Sequence, residues 1–90
     1  MNDPMTVEAA VRDAWRDSLR VDTIVAQDTF FSLGGDSLTA IEVMESVETA
    51  LGIEFPLDVL FGDGTFAAVV AECASLRARS ADASVRGPGA

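Results

Sequence analysis

The chain has 90 residues, 49% of them hydrophobic and 23% charged, with a formal net charge of −9 and no lysine, histidine or tyrosine. So short a chain makes a single domain that buries only about 60% of its unfolded surface around a thin core. Its hydrophobic share excludes wholesale disorder, no apolar run approaches the roughly 18 residues of a membrane span, and an acidic surface with few cations argues against nucleic acid and anionic membranes as partners.

The missing imidazole and amine also argue against catalysis by this chain and against a zinc site. MNDPMTVEAAV, at the start, lacks the basic flank of a signal peptide, and the single Cys73 cannot form an internal disulfide, so a cytoplasmic protein is expected. All the arginines lie outside residues 21–76, whereas Asp22, Asp28, Asp36, Glu42, Glu45, Glu48, Glu54, Asp58, Asp63 and Glu72 lie inside. Basic protein surfaces are therefore the favoured partners, although for any single one of these carboxylates a solvated face is the favoured account.

Val7, Ala10, Val11, Ala14, Trp15 and Leu19 recur at helical spacing and predict a first helix over residues 6–20. Its opposite face carries Arg12, Arg16 and Arg20 in an i,i+4 ladder beside Glu8, Asp13 and Asp17. Thr6 and Asp3, the latter with Pro4 in the first helical position, compete as N-cap. Residues 21–36 show no sustained period and read as a long loop pinned to the core by Phe30 and Phe31. A loop of that length in so small a domain is functional or packed by its own side chains.

The second helix is predicted to run from Ser37 to Leu51, closed by Gly52 in a left-handed conformation. Ala40, Val43, Met44, Val47, Ala50 and Leu51 form its apolar face. At about 100° per residue, Glu42 and Glu45 straddle Leu38 on the other side, with Glu48 toward the edge near Ile41, so Leu38 is stranded among acids. Residues 53–56 read as extended because Pro56 disfavours helix at Phe55. Residues 57–61 make one short turn of helix. After Gly62-Asp63-Gly64, Thr65 caps a last helix to about Ala78 with Phe66, Val69, Val70, Cys73 and Leu76 buried. The domain is expected over residues 5–79 and a disordered tail over 80–90, whose SADASVRGPGA has little to bury. The fold class is all-α: a four-helix bundle with a long loop between helices 1 and 2 and a short third helix.

The junction Leu33-Gly34-Gly35-Asp36-Ser37-Leu38 carries the chemistry. Gly34 and Gly35 permit backbone conformations closed to other residues and leave space beside the helix start, which makes Ser37 an accessible handle. Taken alone, a serine here is read first as a plain N-cap. A phosphoryl group on its hydroxyl would sit at the positive end of the helix dipole, near unpaired backbone N–H groups.

FFSLGGDSLTAIEV resembles the attachment motif of carrier proteins, especially the peptidyl carrier (thiolation) proteins of nonribosomal peptide synthesis. Asp28, Phe30, Phe31, Leu33 and Gly34 to Leu38 match the family's central pattern, and Ile53, Pro56, Leu57, Leu60, Phe61, Thr65 and Val69 match its downstream half. The resemblance implies a carrier-type bundle whose Ser37 receives 4′-phosphopantetheine from coenzyme A through a separate, magnesium-using phosphopantetheinyl transferase. It further implies that an adenylating enzyme loads an amino acid on the arm's thiol as a thioester, for delivery to condensation or tailoring enzymes and a thioesterase. The chain is then a non-catalytic cytoplasmic monomer that holds an aminoacyl or peptidyl group for nonribosomal peptide or hybrid peptide–polyketide biosynthesis; its start at Met and its soft tail suggest a freestanding protein, although an excised domain would look similar.

Cofactor contacts are expected at Ser37, Asp36 and Gly35, and partner contacts at Leu38, Ile41, Glu42, Glu45 and Phe61. Glu48 extends the acidic stripe that would steer basic surfaces. For Phe61, burial in the thin core is the favoured fate over exposure. Asp36 reads either as a contact to the transferase or its metal, or as a charge beside the helix dipole. Cys73 reads as a small core residue, not a nucleophile. The acidic second helix resembles acyl carriers of polyketide and fatty acid synthesis, whereas the double glycine and Phe-Phe favour a peptidyl carrier. A hydrolase using Ser37 lacks a histidine and a Gly-x-Ser-x-Gly elbow; an acidic helical adaptor with Ser37 as a mere cap remains the alternative of another class.

Overall fold

The computed structural model describes the backbone of residues 4–86 and the side chains of residues 7–79. It contains four helices: α1 (Pro4–Leu19), α2 (Ser37–Leu51), α3 (Leu57–Phe61) and α4 (Phe66–Arg86). Helix α1 packs on α2 and α4, and the short α3 bridges α2 and α4. Among the described residues the one bridge of β type is an isolated antiparallel pairing of Thr29 with Thr65. An all-α bundle with a long first loop and a short third helix is what the sequence pattern leads one to expect.

The core forms where the apolar stripes meet. Val7, Val11, Ala14 and Trp15 from α1, Ala40, Val43, Val47 and Leu51 from α2, Leu60 from α3, and Phe66, Val69 and Cys73 from α4 are all buried. Trp15 is its hub: the Phe30 and Phe66 rings each stand edge-on to it, with centroids 5.3 Å away, a geometry that favours aromatic pairs by about 0.5–1.5 kcal/mol each beyond area burial.

Several ends differ from expectation. Helix α1 starts at Pro4, so Thr6 lies inside the first turn and is not its cap; Asp3 falls outside the described residues. Arg12 leaves the solvated ladder: its guanidinium pairs with Glu8 at 2.6 Å, donates to the Ile24 carbonyl at 2.7 Å and lies 4.8 Å from the Phe66 ring centroid. Its long apolar stem makes that half-burial possible. Ala50, placed on the apolar face of α2, is exposed, because the angular spread of that stripe exceeds what the neighbouring helices cover. Helix α4 continues past Ala78 to Arg86, through most of the segment expected as a tail, because no glycine or proline interrupts it before Gly87.

The loop between α1 and α2 is tied to α4 through main chain. Phe30 N–H donates to the Gly64 carbonyl, Phe66 N–H to that of Asp28, and Ala67 N–H to that of Ala26, at 2.8–3.0 Å. These bonds strap the loop to the start of α4. Thr65 caps that helix as expected, its hydroxyl accepting from Ala68 N–H at 3.2 Å.

Candidate functional site

The strap delivers the chain to α2 through a tight turn over residues 29–35, closed by Leu33 N–H to Thr29 O and Gly35 N–H to Phe30 O. The two glycines serve different needs. Gly34 has φ +99°, a left-handed conformation that strains any residue with a Cβ, and open space surrounds it. Gly35 lies against the buried Phe30, where a Cβ would overlap the ring. Only Gly34 therefore leaves the outward clearance expected of both.

Asp36, not Ser37, is the N-cap of α2. Its backbone is extended, at φ −141° and ψ −173°, and its Oδ1 accepts from Thr39 N–H at 2.9 Å while its own N–H donates to Thr39 Oγ1 at 2.8 Å. That reciprocal pair is a capping box. The Thr39 N–H bond, followed by the Thr39 hydroxyl, holds the Asp36 carboxyl below its ordinary value of 3.8. Ser37 is consequently the first residue inside the helix. It is exposed, and no described residue hydrogen-bonds its hydroxyl. The box signal, Asp-x-x-Thr at 36 and 39, is present in the sequence beside the serine that draws the eye.

Around Ser37 the surface is apolar at its centre and acidic at its rim. Leu38 is 67% exposed, Phe61 51% and Ile41 46%, and Glu42 and Glu45 are exposed on α2. The favoured burial of Phe61 does not occur: α3 is a single short turn that turns Leu60 inward and leaves Phe61 outside. Phe61 instead stacks on Phe31, centroids 5.6 Å apart and planes 23° from parallel. Phe31 is itself 44% exposed; it belongs to this surface, contrary to the expectation that it pins the loop inward. Glu48 leaves the acidic stripe: it is half-buried, and its Oε2 accepts from Phe55 N–H at 2.8 Å, tying the extended segment after α2 back to the helix.

Cys73 sits fully buried in α4. Loss of solvent, reinforced by Glu72, pushes its thiol up to about 12, so the thiolate is inaccessible at neutral pH. No group of three or more His, Cys, Asp and Glu side chains among the described residues is placed to hold a metal ion. No helix among them is long and apolar enough to cross a membrane.

The family model for the phosphopantetheine attachment site matches residues 9–73. The chain belongs to that family. As an attachment domain it is 38% identical over 74 residues to tyrocidine synthase 3 of Brevibacillus parabrevis, a match covering 82% of this chain and 1% of that protein. It is 36% identical over 63 residues to gramicidin S synthase 2 of Brevibacillus brevis, covering 70% of this chain and again 1% of the relative. The chain thus spans about 1% of the length of these curated relatives. A chain in the solved structure of the phosphopantetheine transferase Sfp in complex with coenzyme A and a peptidyl carrier protein shares its fold at a TM-score of 0.71, with 35% identity over 77% of this chain and 90% of that one. The group that such a domain takes is 4′-phosphopantetheine. An exposed, unbonded serine hydroxyl at a helix tip fits a phosphoester, and the single thiol, being buried, does not compete with it.

Proposed function

We propose that this chain carries an aminoacyl or peptidyl group in nonribosomal peptide, or hybrid peptide–polyketide, biosynthesis, held as a thioester on 4′-phosphopantetheine attached to Ser37. The observation that carries the reading is the state of Ser37 within a chain of this family: first residue of α2, exposed, its hydroxyl unclaimed because Asp36 caps the helix. In the attachment step Ser37 Oγ bonds to the phosphorus beside pantetheine, the pyrophosphate link of coenzyme A breaks, and 3′,5′-adenosine bisphosphate leaves. The serine proton goes to a base on the transferase, since this chain has no histidine or lysine to accept it. The same absence, with the thiol buried, supports a non-catalytic domain that other enzymes modify and load.

Of the residues read as cofactor contacts, Ser37 is the attachment point, and Asp36 and Gly35 support it, one by capping α2 and the other by seating the chain on Phe30. Leu38, Ile41 and Phe61 are the apolar contacts for partner enzymes, and Glu42 and Glu45 steer them by charge. Those partners are the phosphopantetheinyl transferase, an adenylating enzyme, condensation or tailoring enzymes and a thioesterase, acting in the cytoplasm on a monomeric carrier. Peptide-synthase relatives support the peptidyl reading, whereas the exposed Glu42 and Glu45 favour an acyl carrier as the second. Intact mass after incubation with coenzyme A, magnesium and a broad-specificity transferase tests attachment, and a mass increment lost in Ser37→Ala is expected. No increment on the unaltered chain would leave the helical adaptor. Loading of the modified chain by adenylating enzymes with amino acids, against loading with acyl groups, separates the two carriers.

A further inference from the structure

We propose that Thr39 is the positioning residue for Ser37: by closing the capping box with Asp36 it fixes the start of α2 at residue 37 and keeps the Ser37 hydroxyl out of a cap bond of its own. This rests on Ser37 being the attachment point. Serine is among the strongest N-cap residues, and the sequence offers it the role. A helix begun one residue later would have Ser37 Oγ accept from the N–H of Ala40, turning the hydroxyl toward the helix axis and occupying a lone pair. In the observed register, Ala40 N–H donates instead to the Asp36 carbonyl at 2.9 Å.

What selects this register is local. The Thr39 hydroxyl lies 2.8 Å from Asp36 N, 3.0 Å from Asp36 O and 3.1 Å from Asp36 Oδ1. All of its polar contacts go to the cap residue. A β-branched side chain has few χ1 rotamers, so Oγ1 is held there with little loss of freedom. Upstream, Gly34 is open and left-handed and resists nothing. Downstream, Ala40 is buried and anchors the helix. The junction is therefore stiffened from one side by Gly35 on Phe30, and from the other by Thr39. Thr39 acts on the handle without touching coenzyme A.

Steady-state transfer from coenzyme A by a broad-specificity phosphopantetheinyl transferase, on the whole chain, tests this. Thr39→Val is expected to lower kcat about five-fold, the size of the one hydrogen bond lost from the Asp36 N–H, with KM for the carrier little changed, because Leu38, Ile41, Glu42 and Glu45 still stand on a formed helix. Thr39→Ser, which keeps the hydroxyl, restores kcat. In a cycle with Asp36→Ala, the double variant is no slower than the slower single one, since both remove the same box. Amide exchange, measured without the enzyme, should quicken at Asp36 and Thr39 and stay unchanged at Val43 and Val47. A raised KM with kcat intact would mean a merely structural role and overturn the proposal, as would an unaltered kcat, a Thr39→Ser protein as slow as Thr39→Val, or costs that multiply in the cycle. An unaltered chain that takes no pantetheine at Ser37 removes the proposed function and this inference together, whereas the exchange data still report whether Thr39 sets the register.

Discussion

Phe30 and Phe31 are neighbours in sequence and opposites in the fold. Phe30 has no exposed surface and stands edge-on to Trp15, whereas Phe31 is 44% exposed and stacks on Phe61 at the rim of the Ser37 surface. Helix α2 repeats the division. Ala40, Val43, Val47 and Leu51 vanish into the core, and Leu38, Ile41, Glu42 and Glu45 face out. One set of residues makes a scaffold; the other is left unused by folding and is therefore available to partners.

The sharpest way to break that division is at Ser37. Since Asp36 caps α2, Ser37→Ala should abolish pantetheine attachment completely while leaving the thermal midpoint within about 1 °C, not lowering it by the roughly 4–8 °C that corresponds to a lost cap of about 1 kcal/mol. Intact mass and a melting curve check both halves, and a clear drop in midpoint would put the cap back on Ser37. The aromatic pair comes next. Phe30→Ala should cost about 3–5 kcal/mol in a denaturant titration, as buried rings do, and Phe31→Ala less than about 1 kcal/mol; equal losses would erase the distinction between them.

Charge gives a smaller effect. Replacing Glu42 and Glu45 together by glutamine should slow association with a basic partner enzyme about three-fold at low salt, with the difference closing at high salt. Stopped-flow rates at two ionic strengths decide it. The smallest effect concerns pH. Hydrogen bonds hold the Asp36 and Asp63 carboxyls below 3.8, that of Asp63 through the hydroxyl and N–H of Thr65. Their stabilisation is thus fully present above the unfolded value and fades as pH falls through the folded one. The stability gap between the unaltered chain and an Asp36→Asn, Asp63→Asn protein should be constant from pH 7 to about 5 and shrink below about 4.

Much of this is legible in the sequence for physical reasons. The α2 limits follow from the apolar period and from Gly52, which has φ +69° as a left-handed closing residue should. Thr65 as cap and Cys73 as core follow equally from local rules. Misreadings arise where a residue type has two good uses. Ser37 and Asp36 both make caps, and only the reciprocal Thr39 bonds settle which one does. Arg12 and Glu48 look solvated by type, yet each finds a backbone group to satisfy across the fold. Phe31 and Phe61 carry no periodic signal because one lies in a loop and the other in a single turn, so their side is invisible until the strap and α3 are placed. Composition misjudges the far end of α4, although its lack of helix breakers is plain.

The loop before α2 is fastened to Gly64, Phe66 and Ala67 through peptide groups. A fastening of that kind is blind to which letters the loop spells. Outward positions such as Val25 and Gln27, both exposed, can therefore be rewritten to court a different enzyme, with the seat of Phe30 and the Phe31–Phe61 pair beside Ser37 left as they are, which makes this segment the natural place to retune partner choice by engineering.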